Sequence, residues 1–213
     1  MVSGFRLTRC SNFRADNRAT ATIEFAYIAP ILVALFLGGF ALSRGFNAMQ
    51  KVDFIAHNLA DLTARTIDCG GVASSACLTA ADVDDIFNAA DILLSPLPSA
   101  NLKITLTEVG VFQDGNGRRV ETIWSISRKG EERACNKAPV LPDGFSAATA
   151  PLGAIIIVDV SYPFSPGPGF EKYSWTFQRS NYAVARNLLP AAANSGLPNG
   201  HIANQSGQGK NCK

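Results

Sequence analysis

The sequence predicts an α+β protein with one long N-terminal helix, a second, short helix and a roughly four-stranded antiparallel sheet. Two observations lead to this prediction. Residues 25–42 form an uninterrupted apolar run, and an amphipathic helical pattern follows directly. Between residues 102 and 186, short apolar or alternating segments are separated by turn residues, as is typical of an antiparallel sheet.

The apolar run at 25–42 has the length of a membrane span. At about 1.5 Å per residue, a helix over these residues covers about 27 Å, close to a hydrocarbon core of roughly 30 Å. A buried core helix and a cleaved secretory signal are the alternatives. Ser43, Arg44 and a further helical pattern follow the run directly, which disfavours a signal. Pro30 lies within the run and predicts a kink, because proline removes one backbone hydrogen bond.

The charge ahead of the run predicts its orientation. Four arginines stand there against one acid: Arg6, Arg9, Arg14 and Arg18, with Asp16. Cationic flanks stay on the cytoplasmic side of a membrane, so the region beyond the span is predicted to be periplasmic. The formal charge of +2, without basic stretches interleaved with aromatics, gives no indication of a nucleic-acid partner.

Beyond the span, the helix is predicted to continue to about residue 66, because apolar positions recur at spacings of three and four. These positions are Val52, Ile55, Leu59, Leu62 and Thr66. A second helix is predicted over Thr79–Leu94, with Thr79 as its N-cap and Asp82 in its first turn. Its apolar face consists of Val83, Ile86, Phe87, Ala90 and Leu94.

Four strands are predicted from the patterns that follow. The first is half-buried, since three apolar residues alternate with polar ones: Leu102, Ile104 and Leu106. The segment DGNG at 114–117 supplies a hairpin turn. The returning strand is predicted to place four residues on one face: Val120, Thr122, Trp124 and Ile126. Gly153–Phe164 is apolar on nearly every residue, which predicts a central strand, and Tyr173–Arg186 supplies the last strand.

These patterns predict four regions. They are a basic cytoplasmic leader (1–19), a transmembrane helix with its periplasmic extension (20–66), a periplasmic α+β domain (67–189) and a flexible C-terminal tail (190–213).

Four cysteines follow the span: Cys69, Cys77, Cys135 and Cys212. An even number in an oxidising compartment predicts disulfides, and three pairings are open. We favour Cys69 with Cys77, because the short flexible loop between them closes easily, and Cys135 with Cys212. A zinc site is disfavoured, because no CxxC is present and the histidines are not at ligand spacing.

The entrance to the span, residues 18–30, reads RATATIEFAYIAP. It resembles the N-terminal signature of the TadE/TadG-like proteins, which are minor pilins or pseudopilins of the tight-adherence (Flp) pilus. In that family a basic leader precedes a G-A-T-A-V-E-F-A-type segment and an apolar span. Glu24, Phe25 and Ala26 match the pattern outright, and residues 19–23 match it in kind. The predicted layout, a long helix whose outer half lies on a small antiparallel sheet, is also that of a pilin.

The resemblance implies a structural or assembly component of such a pilus, with no enzymatic activity and no cofactor. The implied partners are other pilus subunits, the inner-membrane assembly platform and membrane lipid. Glu24 is the implied assembly contact, together with its neighbours Phe25 and Pro30. In pilin-like assemblies the equivalent carboxylate is thought to pair with the N-terminal amine of a neighbouring subunit. The alternative is a carboxylate that only complements the dipole at a helix N-terminus.

One position departs from the family pattern. Processed members carry Gly immediately before the bond that a prepilin peptidase cuts, five residues ahead of the Glu, and this chain has Ala19 there. Cleavage between Ala19 and Thr20 is therefore left open. Without cleavage the protein stays in the inner membrane, and with cleavage its helix is able to enter an extracellular filament.

The residues give no catalytic pattern. The two histidines lack a nucleophile at a recognised spacing, and no Gly-rich phosphate loop follows a strand. Asp82, Asp84 and Asp85 lack the spacing of a calcium loop, and a D-x-S-x-S metal motif that begins at Asp159 fails at Pro163. The alternative functions are an unrelated membrane-anchored periplasmic binding module and, less supported, an anchored enzyme.

The cysteine count generates a first prediction. In the denatured, unreduced protein, thiol alkylation should label at most Cys10, because the four cysteines beyond the span are expected to be paired. The same protein after reduction is the control and should be labelled at all five cysteines. Labelling of five thiols without reduction would contradict the predicted disulfides.

Overall fold

The computed structural model describes residues 17–66, 78–114, 117–134, 140–142, 145–146, 153–167, 172–185 and 210–211. Its helices are α1 (Asn17–Thr66) and α2 (Ala80–Leu94), and a short 3₁₀ turn follows at Ser99–Asn101. Its strands are β1 (Lys103–Asp114), β2 (Gly117–Arg128), β3 (Gly153–Phe164), β4 (Trp175–Val184) and β5 (Lys210–Asn211). The predicted α+β class, with a long apolar helix, a short helix and an antiparallel sheet, is confirmed.

The chain forms two compact units, Met1–Arg44 and Gly45–Lys213. In the second unit, α1 buries one face, which consists of Ala48, Val52, Ile55, Ala56, Leu59, Ala60, Thr63 and Ala64. The predicted apolar face was wrong at two positions, since Leu62 is 40% exposed and Thr66 is also exposed. The buried stripe passes through Thr63 instead, which lies about 100° around the helix from Leu62.

Local hydrogen bonds and an apolar face both specify α2. Thr79 caps it, because its hydroxyl accepts from the Asp82 backbone N–H while the Asp82 carboxylate accepts from the Thr79 N–H. The Thr79 hydroxyl also donates to the Asp82 carboxylate at 2.6 Å, and this bond, together with the one from the Thr79 N–H, holds the pKa of Asp82 below its usual value. The predicted N-cap and all five predicted apolar positions are confirmed. Arg128 of β2 fixes the helix on the sheet through a 2.6 Å ion pair with Asp91.

The strands form one antiparallel sheet in the order β4-β3-β1-β2-β5. β3 lies between β1 and β4, as its apolar sequence predicts. One face of the sheet shares a core with α1 and α2, and it includes Ile156 and Val158. The opposite face carries a second, smaller cluster of Val109, Val111, Val120, Ile155 and Ile157, against which Leu141 and Phe145 pack.

The predicted common face of β2 was wrong, because the pairing register between β1 and β2 shifts. Glu108 pairs with Trp124, whereas the next residue, Val109, pairs with Thr122. Ile123 is therefore an extra residue on β2, and such a bulge reverses the faces that follow it. Trp124 and Ile126 lie in the core shared with the helices, whereas Val120 lies in the opposite cluster.

The prediction of a half-buried β1 was also wrong, because both of its faces are buried. Leu102, Ile104 and Leu106 lie in the core with the helices. On the opposite face, Thr105 is 4% exposed and donates to the backbone oxygen of Glu131, while the Thr107 hydroxyl lies 3.1 Å from that of Ser125. The segment that follows β2 thus covers part of this face and forms hydrogen bonds with Thr105 and Ser125.

Ile156 tests the central position of β3. Its replacement by Asp would put an unpaired charge between the sheet and the helices, and we expect it to lower the free energy of unfolding by several kcal/mol. Limited proteolysis and urea unfolding would measure the loss. Val184→Asp is the matched control, because Val184 lies on the edge strand and is 43% exposed. Wild-type protease resistance in the Ile156 variant would contradict the buried position.

Candidate functional site

Residues 25–42 of α1 are apolar around the whole helix surface. Within the described residues, the part of α1 from Thr22 onward is long and apolar enough to cross a membrane. Its most apolar 18-residue window has a mean hydropathy of 2.2, and none of that window is buried. The exposed large side chains include Ile28, Leu32, Leu35, Phe36 and Phe40. Such a surface is stable in contact with lipid or with other apolar helices rather than with water.

The residues singled out at the entrance of this segment all lie on α1. Ala19 and Thr20 are within the helix, which begins at Asn17. Glu24 is exposed, and the neighbouring Phe25 is 67% exposed. Pro30 is inside α1, and the helix extends on both sides of it. The structure thus places the carboxylate of Glu24 on an accessible helix surface directly before the apolar segment.

The proposed disulfides lie elsewhere in the chain. Cys69, Cys77, Cys135 and Cys212 fall outside the described residues, so their pairing stays a prediction.

A buried acid was missed by the sequence analysis. Glu108 of β1 is 3% exposed and accepts a hydrogen bond from the indole Nε1 of Trp124, which is itself fully buried. Burial raises the pKa of the Glu108 carboxyl to about 7, and the bond from Trp124 opposes this rise only in part. The alternation of Leu102, Ile104 and Leu106 contained a signal for this residue, since Glu108 is the next position on the same face.

A second polar group lies on the opposite face of the sheet. The Asp159 carboxylate forms a 2.7 Å ion pair with Arg133 and accepts a 2.6 Å hydrogen bond from Ser180. It borders an open cleft of about 740 Å³ that is also lined by Lys103 and Lys129. Asp159 therefore joins β3 to β4 and to the segment after β2.

These features define a class of protein: an α+β domain preceded by a candidate membrane-spanning helix, the one such helix in the part of the chain that the structure describes. A family model described as TadE-like protein matches residues 19–61. The resemblance to the TadE/TadG-like family is thereby confirmed for a segment that lies wholly within α1 and includes Glu24, Phe25 and Pro30. This TadE-like segment indicates a component associated with the tight-adherence pilus. No curated protein and no solved structure matches the chain.

The burial of Glu108 generates a pH prediction. Its pKa is higher in the folded protein, about 7, than the ordinary value of 4.5, so the folded state binds the proton more tightly. The free energy of unfolding should therefore fall as the pH rises from about 4.5 to above 7, by roughly 3 kcal/mol from this group. Urea unfolding of the full chain in detergent, followed by tryptophan fluorescence between pH 5 and 8, would measure this fall.

Glu108→Gln should remove most of this pH dependence, because the amide oxygen still accepts from Trp124 but does not ionise. The variant should be more stable than the wild type at pH 8 and similar to it at pH 5. Glu131→Gln is the matched control, since the Glu131 side chain is exposed. Equal pH slopes in the wild type and the Glu108 variant would contradict the buried neutral carboxyl.

Proposed function

We propose that this chain is a structural or assembly component, a minor pilin or pseudopilin, of a tight-adherence Flp-type pilus. In this proposal α1 anchors it in the bacterial inner membrane, with residues 1–19 in the cytoplasm and the α+β domain in the periplasm. Its partners are other pilus subunits, the inner-membrane assembly platform and, if Ala19 is accepted at the cleavage position, a prepilin peptidase. The role is non-enzymatic and requires no cofactor.

The observation that carries the proposal is the coincidence of two features on one helix. The TadE-like match spans residues 19–61, and this stretch contains both the helical segment that is apolar around its whole surface and the part of α1 that packs on the sheet. Anchoring alone requires only an apolar run of sufficient length. The match shows in addition that the residues at the start of that run follow the TadE-like pattern, which includes the carboxylate of Glu24.

In the uncut chain, the position of Glu24 argues against a charge that merely complements the helix end. α1 begins at Asn17 and has no acid in its first turn, so in the uncut chain Glu24 lies beyond that turn. The stabilisation that a helix dipole gives to a carboxylate falls off within the first turn. An ionised group at the edge of hydrocarbon is costly, so a cation from a neighbouring subunit is the better explanation for its presence.

The alternative, an unrelated membrane-anchored binding module, has one observation in its favour. The cleft beside Asp159 is large enough for a small polar ligand and is lined by Lys103 and Lys129. Two of its charged groups are already engaged, however. Arg133 neutralises Asp159, and the ammonium group of Lys129 donates to the backbone oxygen of Ala100 at 2.6 Å. We therefore favour the pilus role.

Glu24→Gln tests the proposed role. The substitution removes a charge from a hydrocarbon edge, so membrane insertion should be intact, as measured by resistance to alkaline extraction. The recovery of pilus subunits by crosslinking and co-purification should fall several-fold, because the cationic partner then lacks its carboxylate. Asp84→Asn is the matched control, since it removes an exposed charge from α2. Equal recovery with Glu24→Gln and the wild type would contradict an assembly role for the carboxylate.

A further inference from the structure

Three exposed aromatic side chains lie in the second unit near the point where α1 enters it. Phe46 follows Gly45 on α1 and is 64% exposed, Tyr173 precedes β4 and is 64% exposed, and Trp175 at the start of β4 is 41% exposed. The side chain of the adjacent Lys172 is exposed as well. We call Phe46, Tyr173 and Trp175 the aromatic end of the domain.

Two neighbours among the described residues hold Trp175 in place. Its ring stacks on Phe164 with centroids 6.3 Å apart, and Phe164 packs in turn against Phe177 at 5.9 Å. It also lies directly on Gly45, where an added Cβ would be 3.2 Å from its Cζ3 atom. A large amphipathic ring is therefore fixed by the domain while part of its surface stays uncovered.

The chain itself limits how far this ring is from the apolar segment. Gly45 follows Leu42 by three residues, which advance a helix by about 4–5 Å. The layer of lipid headgroups beyond the hydrocarbon is roughly 5–7 Å thick on each side of a bilayer. If residues 25–42 cross the hydrocarbon, Gly45 and the ring that rests on it therefore lie at the level of the headgroups.

From this point β4 runs alongside α1 in the same direction. Gly45 contacts Trp175, Asp53 forms a 3.5 Å ion pair with Arg179, and His57 lies 3.2 Å from the Asn181 amide. The rise of α1 from residue 45 to residue 57 is about 18 Å, and the rise of β4 from residue 175 to residue 181 is about 20 Å. The start of β4 thus lies beside Gly45, the first residue of the second unit, and Tyr182 lies about 23 Å further along the strand.

We propose that the aromatic end of the domain inserts into the headgroup layer of the membrane that α1 spans, as a second contact that fixes the domain on the bilayer surface. Trp and Tyr are the side chains that concentrate at this level of a membrane, because one part of each is apolar and the other polar. This inference rests on the anchoring role proposed above and adds a lipid contact that is made by the sheet.

Quenching of tryptophan fluorescence by brominated phospholipids tests the contact. The chain has two tryptophans, and neither lies in the apolar segment. Trp124 is fully buried and should not be quenched, so the full chain in nanodiscs should lose at most about half of its emission, all of it from Trp175. Bromines near the headgroups should quench more than bromines deep in the acyl chains. Trp175→Phe, which keeps an aromatic ring on Phe164, should abolish the loss.

A second variant tests whether the quenching is specific to the aromatic end. In the Trp175→Phe background, Tyr182→Trp places an indole seven residues further along the same strand, about 23 Å away, at a site that is 37% exposed. It should remain unquenched by the brominated lipid. Quenching at this position to the extent seen at Trp175 would overturn the proposal.

The other outcomes separate this inference from the anchoring role. A chain that resists alkaline extraction but shows no lipid quenching would overturn the aromatic contact and leave the anchor standing. If Trp175 were then also shielded from the water-soluble quencher acrylamide, the aromatic end would be covered by another subunit instead. A chain that alkaline treatment removes from the membrane would overturn both proposals.

Discussion

One helix has to satisfy two different surroundings, and the rest of the structure depends on this constraint. Up to Leu42, α1 exposes large apolar side chains around its whole circumference, whereas from Ala48 onward one apolar stripe is buried and most of the remaining surface is polar. The main core is built on the second part, because Val52, Ile55 and Leu59 lie against residues of α2 and the sheet. The first part is stable in contact with lipid or with other apolar helices. The second part supplies the helix on which the core of the α+β domain is built.

The bulge at Ile123 links several features of the sheet that otherwise look unrelated. It turns Trp124 toward the helices, where the indole N–H reaches Glu108 on the neighbouring strand. It also turns Thr122 to the opposite face, where its hydroxyl is buried and meets no hydrogen-bond partner among the described residues. A buried carboxyl and an unsatisfied hydroxyl both reduce stability, the latter by about 1–3 kcal/mol. This part of the sheet is therefore a costly arrangement that the surrounding apolar core has to offset.

The two proposed contacts involve residues on either side of the apolar segment in the sequence. Glu24 directly precedes the segment, and Gly45, on which Trp175 lies, follows Leu42 by three residues. The pairing between β1 and β3 shows where the β1–β2 hairpin lies relative to the aromatic end. Lys103 pairs with Ser161 near the aromatic end, whereas Val111 pairs with Gly153, so the β1–β2 hairpin lies at the other end of the sheet. Within the domain, the aromatic end and that hairpin therefore lie at opposite ends of the sheet.

The sequence by itself determined the elements whose signals are carried by neighbouring residues. The apolar run at 25–42, the cap formed by Thr79 and Asp82 and the continuous apolar pattern of β3 are all visible within a few helical turns or one strand, and so is the TadE-like entrance around Glu24. Only the tertiary structure decided the bulge at Ile123, the burial of both faces of β1 and the pairing of Glu108 with Trp124. These features depend on contacts between strands and on the segment after β2. The periodicity of the sequence, two residues in a strand and 3.6 in a helix, indicates only which face a side chain lies on, and not what covers that face.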